Sequence, residues 1–403
     1  MRKLTASAIL SVFWLVILLT VGSVSVAQKI TDPATLPKNT FEWNQQEREF
    51  AFLHFDEVFK ARKVPNGSKV HTLPQGKPIA AFGKGGDKEK LFNDFISSQK
   101  VAGLLILQDG KIRLEHYALG YSDTGRWTSH SVAKSVTSTL VGAAIKDGYI
   151  KSVEDYVTDY LPGLKGSAYD SVKIRHLLTM TSGVKWNEHY DDPDNDLVGL
   201  ATTPIKPDIN QIVNYMRQLP AEAEPGKKWV YKTGETHLIG VLVSAATGQT
   251  LSAYLSKKIW GPYGMEQDAS WVLGRTDEEL AGCCLQAKLR DYARFGQFVL
   301  DDGRINGESI VPAGWFKEAT HAEVSLWPGG GYGYQWWIFG EGTFRALGIY
   351  GQTIHIDPAR RLVIVINSAW PEAESDERQM AASSFLNTIA KDIDKEKTKP
   401  ADQ

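Results

Sequence analysis

Apolar positions alternate with polar ones in some stretches of the chain and recur at helical spacing in others, and the changes of period mark out its elements. Val101 to Leu107 is an apolar run, Asp109-Gly110 is a turn dipeptide and Ile112 to Ala118 alternates, which predicts a β-hairpin. Beyond it Val132, Val136, Leu140, Val141 and Ile145 fall on one helical face and Gly148 follows the last of them. That spacing predicts a helix opening at Ser131 and ending near Asp147. The region 150–265 reads as helices and turns, with helices over Ile174–Met180, Ile209–Leu219 and Leu238–Ala246, the last followed by Gly248. Strand character returns after about 280, around one helix at Lys288–Leu300. A Gly-rich stretch leads into Tyr334–Ile338, and a second pair, Thr353–Ile356 and Leu362–Ile366, is joined across Pro358 to Arg361. Strands early, helices in the middle and strands late predict an α+β fold, with one antiparallel sheet built from both ends of the chain and a helical insertion at about 150–265. Residues 28–90, where Pro, Gly and Lys are interspersed, read as an extended lead-in to a domain over 91–395, and 396–403 as a tail.

The chain has 403 residues, 42% of them hydrophobic and 23% charged, enough for a large buried core. A formal charge of −2 with scattered Lys and Arg offers no basic face, which excludes nucleic acid as a partner. At the start, Arg2 and Lys3 precede the apolar run Ile9–Val21, and Ser25-Val26-Ala27 follows. This is the order of a secretory signal over residues 1–27, so the protein is expected in the periplasm or outside the cell. The alternative is an uncleaved anchor, which would be its one membrane contact. Cys283 and Cys284 are the two cysteines; being adjacent they cannot join distant segments, and they read as a buried thiol pair. Neither they nor the nine histidines, which form no HExxH, suggest a metal, and no cofactor is expected.

A serine hydroxyl is a weak nucleophile at neutral pH and needs a base beside it. A Lys three residues later on one helix lies a turn away on the same face. To act it must be neutral, which takes a pKa drop of about three units, or ~4 kcal/mol of differential stabilisation. The Ser-x-x-Lys spacing occurs at Ser97-Lys100, Ser131-Lys134 and Ser182-Lys185, and Ser131 alone opens a helix directly. A group to relay the proton is offered by Tyr231-Lys232-Thr233, after Pro225-Gly226; Tyr156-Val157-Thr158 has the same shape, and the residues alone leave both open. No Gly-x-Ser-x-Gly occurs, which argues against an α/β-hydrolase nucleophile elbow.

Taken together, Ser131-Val132-Ala133-Lys134, Arg175 to Gly183, Pro225-Gly226 before Tyr231-Lys232-Thr233, and Gly261-Pro262-Tyr263-Gly264-Met265 resemble the class C β-lactamases and their esterase relatives over about residues 90–390. Asp291 to Gly296, Tyr332 to Trp337 and Gly348 to Gln352 are similar to the 6-aminohexanoate-dimer hydrolase branch. The resemblance implies a three-layer αβα, β-lactamase/transpeptidase-like fold. It implies Ser131 as nucleophile, with Lys134 and Tyr231 as general base and acid. Two positions depart from the family pattern: Thr233 stands where Asn is usual, and Ala346-Leu347-Gly348 stands where Lys-Thr-Gly is usual. Gly348 would still let the strand approach the acyl group, and the Ile349 N–H would join that of Ser131 in an oxyanion hole. Arg345 precedes the departure and could replace the missing Lys only by turning inward. Tyr190, in the acidic loop Asn187–Asp194, would close over the site and bond the leaving nitrogen; a solvated surface loop is the alternative. The expected activity is hydrolysis of a small ester or amide through a Ser131 acyl-enzyme. A slowly turning over penicillin-binding sensor, or a true β-lactamase or D-Ala-D-Ala peptidase, are the alternatives.

Overall fold

A computed structural model describes residue 30 and residues 32–82 and 85–398; the signal-like segment 1–27 lies outside them. In chain order the strands are β1 (Ala61–Val64), β2 (Val101–Gln108), β3 (Lys111–Tyr117), β4 (Trp127–Thr128), β5 (Ala269–Val272), β6 (Leu285–Ala287), β7 (Arg304–Ile305), β8 (Glu308–Ser309), β9 (Val324–Trp327), β10 (Gly330–Tyr332), β11 (Trp337–Ile338), β12 (Phe344–Leu347), β13 (Thr353–Asp357) and β14 (Leu362–Ser368). The hairpin β2–β3 forms as the pattern predicts, and its turn residues Asp109 and Gly110 both take the positive φ that a two-residue hairpin loop requires. The main sheet is antiparallel throughout, in the order β3-β2-β14-β13-β12-β11-β10-β9. Leu105 sits opposite Val365, so an early strand and the last one are neighbours, as a sheet built from both chain ends demands.

Every position of β2 is buried because both faces of the sheet are covered. On one face Leu104, Ile106, Ile364 and Ile366 pack with Phe95 of the helix Gly86–Ser98 and with Phe385, Leu386, Ile389 and Ile393 of the helix Asp376–Thr398. Against the other lies the helix Leu289–Leu300. The result is the three-layer αβα arrangement. That helix approaches so closely that a Cβ on Gly296 would stand 2.5 Å from a Val363 methyl and 3.1 Å from one of Ile354. Its Tyr292 hydroxyl donates to the Trp127 and Leu285 carbonyls at 2.8 and 2.9 Å, tying the layer to the smaller sheet β1-β5-β6-β4.

Four boundaries differ from the sequence expectation. Residues 28–90 are more than a lead-in: Asn44 caps a helix over Gln45–Leu53, and β1 pairs with β5. Ser131 lies in a 3-10 turn, His130–Val132, and the α-helix starts at Ala133 and runs to Lys146. The helix expected from Leu238 begins at Thr233, because its first amide is satisfied from outside the segment, by Glu188 at 2.7 Å. The last helix passes through the expected boundary at 395 to Thr398, with Glu396 ion-paired to Arg113 at 2.7 Å.

Candidate active site

β4 and the turn after it place the serine. Trp127 pairs with Ala287 across β4 and β6, and the Ser129 amide donates to the Leu285 carbonyl at 2.7 Å. His130 then takes a φ of 41°, an uncommon conformation for a side chain with a Cβ, and Ser131 follows. The helix Ala133–Lys146 carries Lys134 one turn on, buried, with its Nζ 3.0 Å from Ser131 Oγ, 2.9 Å from Thr233 Oγ1 and 2.8 Å from the Gly282 carbonyl. Burial lowers its pKa to about 8, against the opposing pull of Glu188. A neutral amine has two hydrogens and one lone pair. Here Thr233 and Gly282 are placed to accept the hydrogens, which leaves the lone pair facing Ser131.

Tyr231 reaches the same point from the other side. Its phenol interacts with the Ser131 side chain, its ring lies 4.9 Å from Lys134 Nζ, and Trp337 stacks on it at 5.8 Å. Burial, then Glu188, raises the Tyr231 pKa far above its ordinary value, so the phenol stays protonated. Two residues on, the Thr233 hydroxyl donates to Glu188 while accepting from Lys134, so Thr233 links the Lys134 amine to a carboxylate instead of offering an amide to a ligand. Glu188 also accepts from Trp186 Nε1 at 2.7 Å and from the Tyr190 hydroxyl at 3.0 Å. Tyr190 therefore stands in the cavity wall, packed on Phe41 at 5.3 Å, while His189, Asp191, Pro193 and Asp194 of the same loop are exposed. Glu188 and Gly282 carry no signal in the sequence that points to this site. Glu188 sits in an acidic run where nothing local sets it apart, and Gly282 acts through its backbone.

Two cavities meet at Ile349. One, of about 630 Å³, holds Ser131, Glu188, Tyr190 and Thr233 with apolar walls that include Phe41 and Phe59. The other, of about 890 Å³, runs past Tyr231, Trp229, Trp337 and Gly348 to Glu374 and Asp376. A Cβ on Gly348 would stand 2.9 Å from the Ser129 carbonyl, which explains why this strand end is glycine. Neither the Ser131 nor the Ile349 amide donates to a partner among the described residues, while the Ile349 carbonyl accepts from the Glu374 amide at 2.8 Å. Arg345 does not turn inward: it donates to His355 Nδ1 at 3.2 Å and Ser383 Oγ at 2.8 Å and lies over the Phe339 ring. The expected thiol pair is also corrected, since Cys283 and Cys284 are bonded to each other. Adjacency forbids bridging distant segments but not this closure. Of the rival motifs, Ser97 is exposed at a helix end, Lys185 is exposed, Ser182 caps the Val184 amide at 3.1 Å, and Tyr156 is 45% exposed.

This fold, with a serine and a lysine buried together at the head of a core helix, defines a serine hydrolase of the β-lactamase fold. The chain matches the Beta-lactamase family over residues 89–386 and belongs to it. It is 29% identical over 307 residues to the 6-aminohexanoate-dimer hydrolase of Paenarthrobacter ureafaciens, covering 72% of this chain and 78% of that one. A Bacillus anthracis structure put forward as a 6-aminohexanoate-dimer hydrolase superposes with a TM-score of 0.76 at 25% identity, over 90% of this chain and 99% of that one. A family VIII carboxylesterase shares the fold at a TM-score of 0.58 and 17% identity, over 79% and 99% of the two chains.

Proposed function

We propose that the protein hydrolyses an ester or amide bond of a small molecule through an acyl-enzyme on Ser131. The carrying observation is the setting of Lys134, buried, with two acceptors for its hydrogens and the Ser131 hydroxyl as its third neighbour. Neutral Lys134 takes the hydroxyl proton as Oγ bonds to the substrate carbonyl carbon. The oxyanion lies between the Ser131 and Ile349 amides, each donor contributing about 3 kcal/mol in the transition state. Tyr231 passes its proton to the leaving oxygen or nitrogen and is reprotonated from Lys134, whose ammonium the carboxylate of Glu188 favours. Water then repeats the sequence on the acyl-enzyme and frees Ser131.

Two cavities flanking the serine give room for a group on each side of the scissile bond. In an amide, the Tyr190 hydroxyl would leave Glu188 and bond the leaving nitrogen. Residues 1–27 would direct the chain to an oxidising compartment, a reading that the Cys283–Cys284 bond supports. A fluorophosphonate probe followed by peptide mapping tests the central claim: the label is expected on Ser131. Label on Ser97 or Ser182, or none on the native protein, overturns it. A panel of aryl esters and an aminohexanoate dimer then ranks ester against amide.

A further inference from the structure

Cys283 and Cys284 take no part in the steps above, yet both stand in the wall of the cavity that holds Ser131. Their bond closes a small ring through the peptide that joins them. Cys284 is held at a φ of 69°, in the left-handed region that a residue with a Cβ rarely adopts. On one side of the ring, Trp271 Nε1 donates to the Cys283 carbonyl at 2.9 Å and the Val272 amide to that of Cys284 at 3.2 Å, anchoring the segment to β5. On the other side is Gly282, whose amide donates to His237 Nδ1 at 3.1 Å and whose carbonyl accepts from Lys134 Nζ at 2.8 Å. Gly282 is pressed in place: a Cβ there would stand 2.9 Å from Thr233 Cγ2. The ring thus lies between a fixed strand and the carbonyl that orients the base.

We propose that the Cys283–Cys284 bond is a positioning element for Lys134, so that hydrolysis depends on the bond being closed. The inference rests on the Ser131–Lys134 mechanism. A dithiol such as dithiothreitol delivers two electrons and two protons: the sulfur–sulfur bond breaks, two thiols form, and the reagent closes to its own cyclic disulfide. Once the ring opens, Cys284 is released from the left-handed region and the peptides around it rotate. The Gly282 carbonyl leaves Lys134, whose lone pair is then no longer held toward Ser131. Cys283 is partly exposed to the cavity, which gives a reagent access, and the chain has only these two cysteines, so a dithiol acts on this bond alone.

The test uses the full chain and a chromogenic aryl ester, before reduction, after reduction by dithiothreitol and after reoxidation, with the opened thiols counted by alkylation and mass. Reduction is expected to lower kcat at least about tenfold with KM held within about twofold. It should also displace the acid limb of the kcat–pH profile, which reports Lys134, and reoxidation should restore both. Cys283→Ser and Cys284→Ser should match the reduced enzyme and ignore the dithiol. If these variants do not fold, reduction and reoxidation of the parent chain decides; if the bond resists the dithiol, the double variant Cys283→Ala/Cys284→Ala opens it. Two alkylated thiols with kcat unchanged overturn the proposal, as does a loss of rate with the acid limb unmoved, which marks a staple with no role at the base. Lys134→Ala run in parallel separates the two claims. Full activity in that variant removes the assignment of the base and this inference with it, whereas an inactive Lys134→Ala beside an enzyme indifferent to reduction removes this inference alone.

Discussion

At Lys134 burial and charge act in opposite directions: loss of water favours the neutral amine, while Glu188 favours the ammonium, and burial wins, leaving the pKa at about 8. In the proposed mechanism only the neutral form takes the serine proton. The group whose pKa is lowered is protonated below that value, so kcat/KM should climb as pH rises toward about 8 and level off above it, with Tyr231 still protonated across the range. A pH–rate profile on an aryl ester checks this, and an acid limb lying below pH ~6 would assign it to another group. Tyr231→Phe should cost at least about 100-fold in kcat, and Tyr156→Phe should cost nothing measurable. The closeness of Ser131 and Lys134 was legible because the two lie one turn apart on a single segment, where spacing and geometry coincide. Gly282 was not, because its carbonyl meets Lys134 across 148 residues and carries no side chain to mark it.

Elements follow from period where packing is regular and from partners where it is not. The helix Leu289–Leu300 was readable from its apolar face, and Gly296 is where it touches the sheet most closely. Gly296→Val would drive methyls into Val363 and Ile354; the overpacking should cost about 1–3 kcal/mol, read as a lower denaturant midpoint with an unchanged slope. An unaltered midpoint would mean that the helix can lift off the sheet freely. Two elements were hidden for a physical reason. The helix at Thr233 takes its first acceptor from Glu188, 45 residues earlier, and β1 finds its partner Val272 opposite Ala61 on a distant segment. Neither leaves a mark in its own neighbourhood of the chain.

Beside Gly348, where the family pattern has Lys-Thr-Gly, the cleft is hostile to a substrate carboxylate. Ala346 is buried, Arg345 is committed to His355 and Ser383, and the wall past Gly348 presents Glu374 and Asp376. A β-lactam thus forfeits the ~1.5–3 kcal/mol of a charge-assisted bond, and cephalosporin kcat/KM should fall more than about tenfold below that of a good aryl ester. Comparable values would return Arg345 to the site. The departure at Ala346-Leu347-Gly348 made this legible from sequence; the acidic wall was not, since Glu374 meets the site through its backbone bond to Ile349 and Asp376 through the start of the last helix. The adjacency of β2 and β14 also sets an order of events during synthesis. Ser131 and Lys134 emerge from the ribosome well before Ile349 and the strand Leu362–Ser368 that pairs with β2 and closes the sheet. A chain cut short before them would hold the serine with only one of the two amides proposed to cradle the charge, so the nascent protein should stay chemically silent until Ile349 and the closing strand are in place.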